Sequence, residues 1–146
     1  MFFLVCEVFM LDEIVPVTFK KVMQTRSYTL VVLGNDEKQF AIYTDPSIGK
    51  VIQMQLTETQ SPRPLTHDLF TSSLKGCGIR VKQVLINDIQ DTIYFARLFL
   101  EQSLGDKKHI LEIDARPSDC ITLALMNNAP VFCRKDVLEK TVPIED

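Results

Sequence analysis

The stretch Ile113-Asp114-Ala115-Arg116-Pro117-Ser118-Asp119-Cys120-Ile121-Thr122-Leu123-Ala124-Leu125 constrains the fold more than any other. It reads as a strand end, a tight polar corner and then a buried helix. Pro117 suits the first helical turn, where no N–H is needed and its fixed φ already fits. Ser118 and Asp119 can accept from the free N–H groups of that turn, and a carboxylate there complements the helix dipole. A second stretch, Pro62-Arg63-Pro64-Leu65-Thr66-His67-Asp68-Leu69, has the same ingredients: an Arg-Pro step, a hydroxyl, an acid and an apolar helix start.

The rest of the chain alternates between strand and helix patterns. Phe2–Leu11 reads as a buried strand, Asp12-Glu13 as a turn and Ile14–Phe19 as a short edge piece kept at the margin by Pro16. Tyr28–Leu33 and Gln39–Tyr43 form a hairpin through Gly34-Asn35-Asp36. A helix opens at Asp45-Pro46-Ser47, with Ile48, Val51, Ile52 and Leu56 on one face, and a second runs from Thr66 to Lys75 and stops at Gly76. Strands follow at Ile79–Ile86, Ile93–Leu100 and His109–Asp114, with turns at Asn87-Asp88, Gln90-Asp91 and Gly105-Asp106. The helix from Pro117 ends at Asn127-Asn128, Pro130–Cys133 is a last strand and Lys135–Lys140 a helical turn. Each half thus gives three strands and a helix that opens with Pro-Ser, consistent with an internal duplication. Where the second corner has Arg116 and Asp119, the first has Asp45 and Ile48, so a helix can start here without the Arg and the second Asp.

A length of 146 residues suits one domain with a sizeable core. The net charge of −3 argues against a broad electrostatic nucleic-acid binder but leaves room for a local basic cleft. Cys6, Cys77, Cys120 and Cys133 lack Cys-x-x-Cys spacing and read as buried free thiols in a reducing compartment. The apolar opening is broken by Glu7 and Asp12 and has no basic lead, so it reads as a strand rather than a signal peptide. No run reaches the roughly 20 apolar residues of a membrane span. A cytoplasmic location is expected.

Each polar cluster has a bland reading and a chemical one. Asp119 can simply cap its helix while Arg116 pairs with a neighbouring carboxylate. In the chemical reading, Asp114 and Asp119 act as general base or metal ligands and Arg116 binds a phosphate through its planar fork. Thr66 can be an ordinary N-cap with His67 exposed beside it, or His67 can be a general acid or base titrating near neutrality. His109 follows Asp106-Lys107-Lys108 and reads as surface. The nine Phe and three Tyr lie mostly inside apolar strands and read as core rather than base-stacking platforms.

Together, Arg63-Pro64-Leu65-Thr66-His67-Asp68-Leu69 and Ile113-Asp114-Ala115-Arg116-Pro117-Ser118-Asp119, with Ile121, Leu123-Ala124-Leu125, Pro130-Val131-Phe132 and Val137-Leu138-Glu139, resemble the bifunctional nuclease domain family over nearly the whole chain. Departures are a long link at Ile14–Ser27, Cys120 where the family tends to have alanine, and Met126-Asn127-Asn128 where a basic residue and glycine are common. The resemblance implies an α+β domain with DNase and RNase activity.

The resulting expectation is a single α+β domain over residues 1–140 with a tail at 141–146. Its mixed or antiparallel sheet carries helices packed on it. The leading function is cleavage of phosphodiester bonds in DNA and RNA by a cytoplasmic nuclease. In it Asp114 and Asp119 form the acid/base or metal-holding pair, and Arg63 and Arg116 grip phosphate. Thr66 and Ser118 assist binding, and His67 and Asp68 complete proton transfer. Mg²⁺ is the metal that hard oxygen donors would take. The alternatives are a non-catalytic module that binds an anion, a nucleotide or a protein partner, and a structural homo-oligomer, dimeric or higher, whose polar corners only cap helices.

Overall fold

A computed structural model describes residues 13–144. The strand expected at Phe2–Leu11, and Cys6 within it, lie outside the described residues. The elements are β1 (Ile14–Gln24), β2 (Thr29–Gly34), β3 (Gln39–Thr44), α1 (Pro46–Leu56), α2 (Thr66–Gly76), β4 (Ile79–Gln90), β5 (Ile93–Leu104), β6 (Lys107–Ala115), α3 (Pro117–Asn127), β7 (Val131–Arg134) and α4 (Lys135–Lys140). This is an α+β domain, and its described residues form a seven-stranded mixed sheet ordered β3-β2-β1-β7-β4-β5-β6. Every neighbouring pair is antiparallel except β7 with β4, which is parallel.

The sheet order reads alike from both ends. An antiparallel meander of β1, β2 and β3 and another of β4, β5 and β6 flank the four residues of β7. Because β7 runs against β1 and along β4, the two first strands point in opposite directions. Each meander feeds a helix, α1 or α3, and the two helices pack against each other over the sheet. That arrangement matches the three-strand-plus-helix repeat read from the sequence.

The piece expected as a short margin strand is instead the first part of an eleven-residue β1 inside the sheet. Proline survives there because β2 stops opposite Thr18, so among the described residues Pro16 has a strand neighbour on one side only, Phe132 of β7. Asn87-Asp88 is likewise no turn. The register slips between Ile86 and Asp88, a bulge that absorbs Asn87, and β4 continues to Gln90. The reversal falls at Asp91, whose φ of 58° is left-handed.

The helix boundaries follow their punctuation. Asp45 caps α1 by accepting from the backbone N–H groups of Ser47 and Ile48, and Pro46 fills the first turn. Asn128 closes α3 in the left-handed region at φ 50°, ψ 39°. Gly49 lets α1 sit close on β2, since a Cβ there would lie 2.1 Å from Thr29 Oγ1.

Two apolar clusters fill the space beneath the helices. Val31, Leu33, Phe40, Ile42, Ile48, Ile52 and Ile121 join α1 and α3 to the first meander, with Val137 and Leu138 of α4 closing the end. Val81, Val84, Ala96, Leu98, Leu100, Cys120, Leu123 and Ala124 join α3 to the second meander. Burial pushes the Cys120 and Cys133 thiols up to about 12, so both act as small apolar groups. Cys77, expected to be buried, is exposed just past α2. Beyond α4, Thr141 is buried and the Ile144 N–H donates to Gln39 O at 2.9 Å, tying this segment to β3.

Candidate functional site

The corner between β6 and α3 sets the site. Arg116 is the N-cap residue of α3, with φ −63° and ψ 141°, yet its side chain makes no capping hydrogen bond. Pro117 and Ser118 follow as the first helical residues, which places Asp119 in the first turn, where the dipole favours its negative charge. Asp119 looks outward from there. Its Oδ2 accepts from Arg116 Nε at 2.8 Å, and its Oδ1 lies 2.9 Å from Nε2 of His67, 52 residues away in sequence.

His67 comes from the first turn of α2, which leans on α3 and β4. The two Arg-Pro segments therefore do meet in space, and they meet through one carboxylate. The His67 side chain is only 13% exposed, whereas Arg116 is 67% exposed, so the line runs from a sheltered imidazole to an open guanidinium. With Nε2–H donated to Asp119, the neutral ring carries its lone pair on Nδ1. The Arg116 guanidinium is pushed up from its ordinary value, chiefly by its hydrogen bond to Asp119 and then by that carboxylate's charge. Its terminal nitrogens take no part in the Nε bond and remain available as donors.

This line borders a groove of about 650 Å³ between the three helices. Ser47 and Thr66 supply hydroxyl-bearing rims, and Val51, Phe70, Leu98 and Leu123 supply apolar wall. Sequence reasoning missed the contribution of the first half, Ser47, Ile48 and Val51, and the wall residue Phe70. Phe70 is 37% exposed on α2 and lies outside the core clusters, and nothing local in the sequence sets it apart from the other apolar residues of that helix.

The other expected site residues fall elsewhere. Ala96 and Leu98 of β5 face α3, so Arg97 projects from the opposite face, and Asp114 is the cross-strand partner of Arg97. Asp114 is thus separated from Asp119 by the sheet, and the two do not form a pair. Asp68 turns back to accept from the Leu65 N–H at 2.8 Å, closing the start of α2 rather than facing His67. Arg63 is exposed on the linker and lines no part of the groove. Ser118 is buried, its carbonyl accepting from Thr122 Oγ1, and it borders a second cleft rather than the groove. Thr66 does line the groove. His109 is exposed on β6, as expected.

A resident Mg²⁺ held by Asp114 and Asp119 does not fit this geometry. Asp114 lies across the sheet, and both Asp119 oxygens are engaged by His67 and Arg116. Among the described residues no three His, Cys, Asp or Glu side chains gather in a way that could hold an ion.

Comparison with known proteins adds a family to this geometry. The bifunctional nuclease domain matches residues 31–145. An uncharacterized protein of Mycobacterium tuberculosis strain H37Rv is 28% identical over 115 residues, covering 79% of this chain and 66% of its own. Bifunctional nuclease 2 of Arabidopsis thaliana is 29% identical over 90 residues, 62% of this chain and 26% of the plant protein. Bifunctional nuclease 1 of the same plant is 28% identical over 90 residues, covering 62% of this chain and 27% of its own. The chain therefore spans less than two thirds of the mycobacterial protein and about a quarter of the plant proteins.

Proposed function

The chain belongs to the bifunctional nuclease domain family, and on that premise we propose that its groove hydrolyses phosphodiester bonds of DNA and RNA. The observation that carries the proposal is the line His67–Asp119–Arg116. A carboxylate that fixes an imidazole on one side and a guanidinium on the other sets a base and a phosphate clamp in one rigid unit. His67 Nδ1 takes the proton of the attacking hydroxyl or water as the new P–O bond forms. Arg116 donates from its terminal nitrogens to the non-bridging phosphate oxygens as their charge grows. The bond to the leaving oxygen breaks, and the imidazolium returns the proton to that oxygen, directly or through water. Thr66 offers its hydroxyl to the same phosphate from the rim.

The decisive test compares purified parent and His67→Asn protein on single-stranded RNA and duplex DNA, each with Mg²⁺ and with EDTA. Cleavage should fall by about 10²–10⁴-fold while the melting temperature holds. Equal cleavage by both proteins would overturn the assignment. We place the enzyme in a reducing compartment such as the cytoplasm, a reading supported by the unpaired Cys77, Cys120 and Cys133.

A second reading is favoured by the apolar wall of the groove: a binding module for a ligand with an apolar body and one anionic group. It expects tight binding of such a ligand in the parent, with no turnover of either nucleic acid.

A further inference from the structure

Arg116 borders two hollows. One is the groove beside His67, and the other is a cleft of about 310 Å³ on the far side of the guanidinium. The second cleft lies between the end of β3 and the β4–β5 turn, and its lining includes Tyr43, Asp45, Ile93, Tyr94 and Ser118. None of these residues except Ser118 was anticipated as part of a site.

The aromatic residues of this cleft are braced from behind. Tyr43 is 65% exposed, and its ring packs on that of Tyr28 with centroids 5.4 Å apart at 56°. Tyr94 stacks on the fully buried Phe40 at 5.7 Å and 23°. Burial pushes the Tyr94 phenol up to about 12, so it stays neutral at physiological pH. Ile93 adds an exposed apolar edge. Exposed aromatic surface beside an exposed arginine is what sequence-tolerant recognition of unstacked bases uses. The Asp45 carboxylate makes the cleft unsuited to a second phosphate and leaves the uncharged face of a nucleotide as its occupant.

We propose that this cleft is a subsite for one unstacked nucleobase of a single-stranded nucleic acid whose neighbouring phosphate sits on Arg116. The proposal rests on the nuclease reading of the adjoining groove. It extends that reading to a substrate class: strands with a base free to leave its stack are bound in preference to intact duplex, since a paired base cannot enter the cleft.

The test separates binding from cleavage. Binding of a fluorescein-labelled oligothymidylate to the full chain is read by anisotropy for the parent, Tyr43→Ala and Tyr43→Phe, with melting temperature and circular dichroism as controls for folding. Tyr43→Ala should weaken binding on the order of 10-fold, with Tyr43→Phe restoring it, because the ring and not the hydroxyl supplies the contact. Oligonucleotides with a single abasic position, moved along the strand, should bind the parent more weakly at one position. That same substitution should cost Tyr43→Ala nothing further. Equal affinity of parent and Tyr43→Ala, or an equal added loss on the abasic strand in both, would overturn the subsite. Failure of the nuclease reading would show instead as unchanged cleavage in His67→Asn, a result independent of these affinities.

Discussion

The corners Asp45-Pro46-Ser47 and Arg116-Pro117-Ser118 occupy matching places in the two halves and start helices of equal length, eleven residues each. They use their polar groups differently. In the first, the residue before proline is an acid that closes the helix by accepting from Ser47 and Ile48. In the second, the residue before proline is an arginine that caps nothing, and the acid three positions later points away from its own helix toward His67. A corner under selection for stability alone would resemble the first. The second gives up a cap worth about 0.5–2 kcal/mol and holds an imidazole and a guanidinium in register instead. That contrast separates the chemical reading of Arg116 and Asp119 from the capping one.

The comparison can be broken most severely at Asp119. Asp119→Ala frees His67 and Arg116 together, and cleavage should drop on the order of 10²–10⁴-fold. The side chain is partly exposed and caps nothing, so the melting temperature should move little. A large fall in stability with proportionate activity would return Asp119 to a structural role. Arg116→Ser writes the logic of the first corner into the second, installing a capping hydroxyl where the guanidinium was. Cleavage should fall about 10²–10³-fold, while denaturant unfolding shows stability equal to or above the parent, because an exposed ion pair contributes about 0–1 kcal/mol. A variant both inactive and unstable would show that the pair holds the corner together.

The smallest effect belongs to the first corner. Asp45→Ala should cost about 1 kcal/mol of stability, read by urea unfolding. The Ser47 hydroxyl, followed by the Ile48 N–H, holds the Asp45 carboxyl below the ordinary carboxylate value. A lowered folded-state value means the stabilisation is fully present above the unfolded value, near 3.8, and is lost as the pH falls through the folded one. The gap between parent and Asp45→Ala should therefore hold at neutral pH and narrow in acid. A gap constant down to strong acid would remove the carboxylate from the cap.

The local structure of this chain was largely written in the sequence. Prolines at helix starts, Asn128 at a helix end and alternating apolar residues in the meanders each act within a few positions, so their consequences are readable. What depends on pairing was not. Pro16 was read as a margin signal because proline removes a ladder donor. The early end of β2 satisfies that requirement inside the sheet. Asp114 and Asp119 looked like partners on the strength of five residues' separation, but strand alternation sends Asp114 through the sheet while the helix turns Asp119 outward. The partner of Asp119 proved to be a histidine brought by another helix, and no local pattern encodes the lean of α2 on α3. Tyr43 lies in an apolar strand of the kind that reads as core, yet it ends up 65% exposed on β3, the outermost described strand on that side of the sheet.

The placement of β7 bears on how the chain is made. The strand that joins the two meanders is translated after both of them and after three of the helices. A nascent chain that has emerged only as far as Pro130 carries two finished hairpin systems whose inner edges, β1 and β4, have no neighbour between them. Those edges offer unpaired backbone donors and acceptors to any other extended chain until four residues, Val131–Arg134, slide into place. Folding of the whole thus waits on a contact between distant parts of the sequence, which slows it. Shortening the time spent in that open-edged form by faster elongation through β7, or shielding β1 and β4 with a chaperone until β7 emerges, would raise the yield of folded protein without altering the finished molecule.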